Sequence, residues 1–215
     1  MRKFFLGVSS VVFTALSVLS NTALAQTINQ VQVTGFTYGG SGCPQGTSAS
    51  GQISATNPGG RADLLILSFD SFRASQGKNI SPSERQKSCN IAINFRIPQG
   101  YSFSLSRAQY AGYADLPAGM RGVHKITYSF PFSNTATFQT VLNGLYQSNY
   151  QRTDTLESSA LVWSPCSQLV PLNLRTYVAL RGDRTPNASI SVKQITGKVT
   201  QRYGIQWRKC TSDAS

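Results

Sequence analysis

Few residues of this chain have side chains suited to acid–base or metal chemistry. Its 215 residues include one histidine and eight Asp and Glu residues, and these counts exclude a multi-histidine metal site. No calcium-loop pattern is present, and we expect neither a metal nor another cofactor. The histidine, His124, lies close to the cations of Arg121 and Lys125, which disfavour its protonation, and the chain has no G-x-S-x-G nucleophile motif. We therefore expect His124 to be a surface residue of a strand rather than a catalytic base.

The carboxylates are the other candidates for catalysis, because a glycosidase needs two of them about 5–10 Å apart. Asp70 and Asp115 both follow apolar segments and could lie at one rim of the fold, and Asp154 is a third candidate. The sequence does not show that any two converge, and capping, turn formation and salt bridges are commoner roles. We therefore expect a protein that is not an enzyme, with a carbohydrate-active enzyme as the least favoured alternative.

The amino terminus is typical of a secretory signal peptide. Arg2 and Lys3 precede an apolar stretch shorter than the ~20 residues of a membrane span, and residues 23–25 supply an A-x-A cleavage site. Cleavage would divide the chain into a signal peptide, 1–25, and a secreted domain, 26–215, without a transmembrane anchor. We expect the mature protein to be secreted or periplasmic.

Four cysteines follow the predicted cleavage site: Cys43, Cys89, Cys166 and Cys210. In an oxidising compartment they are expected to form disulfides rather than a metal site or a nucleophile. Of the three possible connectivities we favour Cys43–Cys89 with Cys166–Cys210, which closes two separate loops of similar size.

The charge balance is strongly basic, with 20 Lys and Arg residues against 8 Asp and Glu. Removing Arg2 and Lys3 leaves 18 basic and 8 acidic residues, so an excess of ten positive charges belongs to the mature domain. These residues are dispersed and form no RNA-recognition or zinc-finger motif, so specific nucleic-acid binding is not expected. An exported basic protein instead meets glycans and the anionic polymers of a cell envelope.

Two groups of residues are candidates for binding such a ligand. Tyrosines in the segment 101–115 could stack on sugar rings, and basic residues in the segment 78–87 cluster around a predicted helical turn. The candidate residues are Tyr101, Tyr110, Tyr113, Asp115, Lys78, Arg85 and Lys87.

Apolar and polar residues alternate with a period of two along much of the mature chain, which predicts β-strands. Strands are expected at 28–38, 64–69, 91–97, 101–106, 126–132, 160–163, 172–180, 190–192 and 199–207. The apolar run 64–69 is typical of a strand buried on both faces, and Gly204 indicates a bulge. The pattern predicts an all-β fold: a single antiparallel β-sandwich of about ten strands with one short helical turn and two disulfides.

Two turns have recognisable signals. Pro98-Gln99-Gly100 lies between the predicted strands 91–97 and 101–106 and indicates a hairpin. Ser81-Pro82-Ser83-Glu84 predicts a helical turn with proline at its first position and a capping box between the serine N-cap and the glutamate.

Five segments of the mature chain are distinctive when taken together. They are Gly42-Cys43-Pro44-Gln45-Gly46, Ser81-Pro82-Ser83-Glu84-Arg85-Gln86-Lys87-Ser88-Cys89, Ile97-Pro98-Gln99-Gly100-Tyr101-Ser102-Phe103, Tyr110-Ala111-Gly112-Tyr113-Ala114-Asp115-Leu116 and Trp163-Ser164-Pro165-Cys166. In these segments the chain resembles a family of small secreted proteins known as domain of unknown function 4360. The resemblance implies a secreted, disulfide-bonded, β-rich domain, and it implies no catalytic residues.

We therefore expect an exported, non-enzymatic β-sandwich protein that binds glycans or anionic envelope polymers. A structural envelope protein or protein-interaction domain is the main alternative. A groove beside the segments 101–115 and 78–87 would support ligand binding, whereas a flat surface there would support the structural alternative.

Overall fold

The computed structural model describes residues 31–46, 49–53, 64–69, 72–166, 169–192 and 199–211. Within these ranges the regular structure consists of twelve β-strands and two short 3₁₀ helices, Pro82–Arg85 and Ser158–Ala160. The strands are β1 (Gln32–Gly39), β2 (Ala49–Ile53), β3 (Leu64–Phe69), β4 (Arg73–Gln76), β5 (Gln86–Arg96), β6 (Tyr101–Leu116), β7 (Arg121–Ser129), β8 (Ala136–Asn143), β9 (Tyr146–Thr155), β10 (Leu169–Arg181), β11 (Ala188–Ser191) and β12 (Val199–Lys209).

The strands form two antiparallel sheets that pack together. The five-stranded sheet has the order β1-β5-β10-β7-β8. The seven-stranded sheet has the order β2-β3-β12-β6-β11-β4, and β9 also pairs with β6. This architecture confirms the predicted all-β sandwich.

The core lies between the two sheets and is rich in aromatic rings. Phe103 of β6 contacts Phe95 of β5, Phe130 after β7, and Trp207 of β12, with ring centroids 5.4, 5.1 and 5.4 Å apart respectively. Because these rings come from both sheets, their contacts hold the sheets together as well as burying apolar surface.

The turn Pro98-Gln99-Gly100 does not join the strands of a hairpin. Gly100 has a φ of 79°, which suits glycine, but β5 pairs with β1 and β10 whereas β6 pairs with β9, β11 and β12. The chain therefore passes from one sheet to the other at this turn. The hairpin prediction is wrong because a turn signal is local, whereas pairing depends on strands that are distant in the sequence.

Two other strand predictions also differ from the structure. The segment 160–163 follows the 3₁₀ helix Ser158–Ala160 and contains no strand. The strand expected at 126–132 ends at Ser129, and Phe132 lies in the next turn, fully exposed. The apolar residues at 130–132 and 160–163 therefore do not belong to strands, although the alternation pattern predicted them there.

The strand β3 is buried on one face rather than on both. Leu65, Leu67 and Phe69 are buried, whereas Ile66 between them is half-buried.

The bulge predicted at Gly204 is confirmed, because the register between β12 and β6 shifts directly after this residue. Strands β2, β4, β8 and β9 were not predicted, and β9 has few apolar residues to mark it.

The predicted helical turn is confirmed as the 3₁₀ helix Pro82–Arg85. The Ser81 side chain accepts a hydrogen bond from the backbone N–H of Ser83 at 3.4 Å. The capping box is incomplete, because the Glu84 carboxylate accepts a hydrogen bond from the Lys87 ammonium at 2.7 Å instead of reaching back. The attraction between the carboxylate and the ammonium explains why Glu84 bonds to Lys87 rather than to the start of the helix.

Both favoured disulfides are present, with Cα atoms 5.3 Å apart in Cys43–Cys89 and 6.0 Å apart in Cys166–Cys210. The first ties the turn after β1 to β5, and the second ties the loop before β10 to the end of β12. Disulfides persist in oxidising compartments, so these bonds are typical of a protein that has left the cytoplasm.

No helix among the described residues is long and apolar enough to cross a membrane. The predicted signal peptide, 1–25, lies outside the described residues, as does Asp70.

The two disulfides should differ in how easily they are reduced. Cys43 and Cys89 are buried, whereas Cys166 is exposed, so a reductant reaches the Cys166–Cys210 bond more easily. We expect this bond to open at a lower dithiothreitol concentration in the folded protein, as measured by alkylating new thiols and identifying the peptides by mass spectrometry. Reduction in denaturant is the control and should remove the difference. Opening of Cys43–Cys89 first would contradict the prediction.

Candidate functional site

Strand β10 has one face in the core and the other on the outer surface of the five-stranded sheet. Leu172 and Leu174 are buried, whereas Asn173 and Arg175 are exposed and Tyr177 continues their row. Successive side chains of a strand point to opposite faces. The apolar residues that build the core therefore also place a polar row on the outside.

The neighbouring strands add polar side chains beside this row. Arg175 is paired with Asn90 of β5 on one side and with Thr127 of β7 on the other. Tyr177 is paired with Lys125 of β7. Paired residues have Cβ atoms about 4.5–5.5 Å apart, so these polar side chains of the three strands adjoin one another, with Ala92 and Val123 as apolar neighbours.

Two adjoining cavities lie over this surface. Their volumes are about 520 Å³ and about 380 Å³, sizes typical of ligand sites. Arg175 and Thr127 line both cavities, so the two form one depression, which we call the sheet groove. Other polar residues that line the sheet groove are Thr37, Asn90, Lys125, Ser129, Thr135, Gln139, Asn173, Tyr177 and Arg181.

Arg181 extends the sheet groove to the end of β10. It lines the second cavity and also a third, of about 360 Å³, together with Arg85 and Arg184. From Asn173 to Arg181 the strand extends about 26 Å. A surface of this length suits a chain-like ligand better than a single small molecule.

The sheet groove is basic. Within the described part of the chain, no carboxylate lines it, and the side chains of Arg175 and Lys125 form no hydrogen bond or ion pair. The Arg181 guanidinium donates a hydrogen bond to the Tyr177 hydroxyl and lies 6.0 Å from the centre of its ring. This contact orients both side chains, while Arg175 and Lys125 keep their charges available to a ligand.

The tyrosines of the segment 101–115 do not form one site. Tyr101 and Tyr113 are twelve positions apart on β6, which corresponds to about 40 Å along the strand. Asp115 lines a separate cavity against β4 and β11. Tyr110 is buried, and its hydroxyl donates a hydrogen bond to Asp154. The expectation that Tyr110 offers an exposed stacking face is therefore wrong, because its position on β6 faces the core.

The predicted basic residues have different surroundings. Arg85 donates a hydrogen bond to the Gly182 carbonyl at 3.1 Å and lines the third cavity. Lys87 is paired with Glu84, and Lys78 is exposed in the turn after β4. Of these three predicted residues, Arg85 is the one that lies at the end of the sheet groove.

The residues of the sheet groove were not identified as a site from the sequence. The alternation pattern does assign Asn173, Arg175 and Tyr177 to the polar face of one strand, and Lys125 and Thr127 to that of another. The sequence lacks a signal that these two strands are neighbours. Their pairing is what brings the cations together.

His124 is completely buried between the sheets, so the expectation of a surface histidine is wrong. Its neighbour Lys125 faces outward, and the alternation of β7 therefore turns His124 inward. Desolvation disfavours the imidazolium and lowers the pKa of His124 to about 3. The ring is neutral near pH 7 and has no access to a ligand.

His124 belongs to a hydrogen-bond network between the sheets. Its Nδ1 lies 3.0 Å from the Tyr150 hydroxyl, which itself donates to a backbone carbonyl of β11, so Nδ1 carries the hydrogen. Its Nε2 accepts from the Gln201 amide at 3.2 Å. The Gln201 carbonyl in turn accepts from the hydroxyls of Thr176 and Tyr203 at 2.9 and 2.7 Å. The network joins strands of both sheets and has a structural role.

The described carboxylates named as candidates do not form a catalytic pair. Asp154 is paired with Ala108 of β6, and Asp115 lies seven positions farther along that strand, about 23 Å away. This separation exceeds the 5–10 Å or so of a glycosidase pair. In the described part of the chain, no three His, Cys, Asp or Glu side chains are placed to hold a metal ion.

The chain belongs to the family called domain of unknown function (DUF4360), whose pattern matches residues 29–210. An uncharacterised secreted protein of Arthroderma benhamiae is 32% identical to it over 186 residues, covering 86% of this chain and 74% of that protein. The family resemblance seen in the sequence is thereby confirmed.

Two solved structures of carbohydrate-binding modules show a weak likeness. The module TmCBM61 in complex with β-1,4-galactotriose has 8% identity and a TM-score of 0.29, covering 82% of this chain and 89% of that chain. The family 11 module from Clostridium thermocellum, in complex with a β-1,3-1,4-mixed-linked tetrasaccharide, has 7% identity and a TM-score of 0.23, covering 82% and 96%. Likeness at this level supports no conclusion about this chain.

Burial of His124 should make the protein sensitive to acid. Its folded-state pKa of about 3 lies below the ordinary value of 6.5, so its contribution to stability is present above pH 6.5 and is lost as the pH falls toward 3. We expect this group to lower the free energy of unfolding by about 1.4 kcal/mol per pH unit in that window. Urea unfolding at several pH values between 7 and 4 measures the slope.

The control for this measurement is His124→Gln, whose side chain does not titrate. The variant should be less stable than the wild type at pH 7, because it disturbs the network. Its stability should fall less steeply with acid, so that the two proteins approach each other. Identical slopes in both proteins would contradict the prediction.

Proposed function

We propose that this protein is exported and binds an anionic polysaccharide in the sheet groove without catalysing a reaction on it. The observation that carries the proposal is the charge of the groove: Arg175, Lys125 and Arg181 line it, and none of the described residues that line it is a carboxylate. Such a groove attracts a polymer that bears uronate or sulfate groups.

Export is supported by two observations. The relative in Arthroderma benhamiae is described as secreted, and two disulfides close loops of this chain. Disulfides of this kind persist outside the cytoplasm, so a secreted or periplasmic location fits the covalent structure.

The polar groups of the sheet groove match the chemistry of a sugar chain. The amides of Asn90, Asn173 and Gln139 can each donate and accept hydrogen bonds, as sugar hydroxyls do. The guanidinium groups of Arg175 and Arg181 can each bind a carboxylate or sulfate through two N–H groups. The ~26 Å run of β10 provides space for several linked sugars.

Binding rather than hydrolysis is supported by what lines the groove. Among the residues that the structure describes, no carboxylate or histidine lines either cavity, and these are the usual groups for acid–base attack on a glycosidic bond. A bound polysaccharide would therefore be held and released unchanged.

Removing charge from the sheet groove should weaken binding. The double variant Arg175→Gln/Lys125→Gln is expected to bind polygalacturonate or heparin at least about 10-fold more weakly, equivalent to about 1.4 kcal/mol. Titration calorimetry at increasing NaCl concentrations measures the affinity, which should fall with salt in the wild type.

The matched control is Arg107→Gln/Arg202→Gln, which removes two exposed cations from the seven-stranded sheet. This variant should bind the polymers within about 2-fold of the wild type, because its charges lie away from the groove. Equal losses in both double variants would indicate general charge attraction and overturn the proposal, as would no loss in the groove variant.

We further propose that the signal peptide 1–25 is removed on export. The exported protein should then begin at Gln26, and its intact mass should equal that of 26–215 with two disulfides. Mass spectrometry of the secreted or periplasmic fraction measures this directly. A mass that includes the amino-terminal segment would contradict the prediction.

A further inference from the structure

Phe132 is an exposed aromatic residue held in an unfavourable backbone conformation. Its side chain is fully exposed, with a relative exposure of 108%, and its φ is 59°. Positive φ is readily adopted by glycine but is a genuine outlier for a bulky side chain. The folded state therefore bears both a strained backbone and a solvated ring at this residue.

The turn that carries Phe132 is well defined. The Ser133 hydroxyl donates a hydrogen bond to the Phe130 carbonyl and accepts one from the Phe130 backbone N–H, both at 2.9 Å. The Phe130 ring packs against Phe103 in the core. The core therefore anchors one aromatic residue of the turn, while the turn presents the other to solvent.

The turn also borders the sheet groove. In the sequence Phe132 lies midway between Ser129 and Thr135, and both of these residues line the first cavity. The far end of the same groove carries Arg181. The turn that carries Phe132 thus adjoins one end of the depression, and the cations of Arg175, Lys125 and Arg181 lie along it.

We infer that Phe132 is a ligand-binding residue that stacks its ring on a pyranose ring of the polysaccharide bound in the sheet groove. This inference rests on the proposed function and deepens it, because it adds recognition of the apolar sugar face to recognition of the anionic groups. The C–H groups on the face of a pyranose ring pack well against an aromatic ring. Binding of the sugar would cover the apolar surface of the Phe132 ring, which folding leaves exposed. Strained backbone conformations such as that of Phe132 are typical of functional sites.

Phe132→Gly separates a binding role from a structural one. Glycine adopts the positive φ without strain, so the variant should unfold at the same or a higher temperature than the wild type. Its affinity for polygalacturonate should nevertheless fall about 10-fold. Phe132→Trp keeps an aromatic face and should bind within about 3-fold of the wild type.

Leu145→Ser is the matched control. Leu145 is another large exposed apolar residue, 84% exposed, and it follows β8 at the end opposite the Phe132 turn. Its replacement should leave the affinity unchanged. An equal loss of affinity in this control would indicate nonspecific apolar contact and overturn the inference.

The remaining outcomes separate the inference from the proposed function. If Arg175→Gln/Lys125→Gln weakens binding and Phe132→Gly does not, the inference is overturned and the proposed function stands. If Phe132→Gly weakens binding and the groove variant does not, the ring binds a ligand elsewhere, and the assignment of the sheet groove is overturned. If the wild type binds no polysaccharide, or binds single-stranded DNA more tightly, both are overturned.

Discussion

The register of β10 between β5 and β7 is the constraint on which the core and the sheet groove both depend. Leu174 packs into the core, and Arg175 beside it points to the outer surface. A shift of one residue would expose the leucine and bury the guanidinium, which costs apolar burial and desolvates a charge. The apolar contacts inside the sandwich therefore fix Asn90 and Thr127 opposite Arg175, and so determine the composition of the groove.

A hydrogen-bond network between the sheets adds a second constraint. His124 of β7 accepts from Gln201 of β12, and Gln201 accepts from Thr176 of β10. Apolar packing tolerates small displacements, whereas hydrogen bonds are directional, and leaving a buried polar group unpaired costs about 1–3 kcal/mol. The strands that meet in this network also carry Lys125 and Arg175 on their outer faces. Order in the interior thus supports a fixed arrangement of cations outside, although the network has no contact with solvent.

The architecture and the disulfides were accessible from the sequence, and the errors have a common cause. Strand alternation predicted the sandwich, the favoured disulfide pairing is present, and the helical turn at Pro82–Arg85 had a clear local signal. His124 was assigned to the surface because cations flank it, yet residues adjacent in a strand face opposite ways. Tyr110 was assigned as a sugar contact because it is aromatic, but an aromatic residue fills a core equally well. Residue type alone does not tell which face of a sheet becomes the interior.

The sequence by itself determined which side chains share a strand face, including the row of Asn173, Arg175 and Tyr177 and the row of Lys125 and Thr127. It also determined the basic charge and the number and spacing of the cysteines, and it favoured the disulfide pairing that the structure contains among three possible ones. Only the tertiary structure decided that the two rows lie side by side, and that the turn that carries Phe132 adjoins the sheet groove. The physical reason is that strand pairing is selected by packing between residues distant in the chain, and local propensity does not encode those contacts.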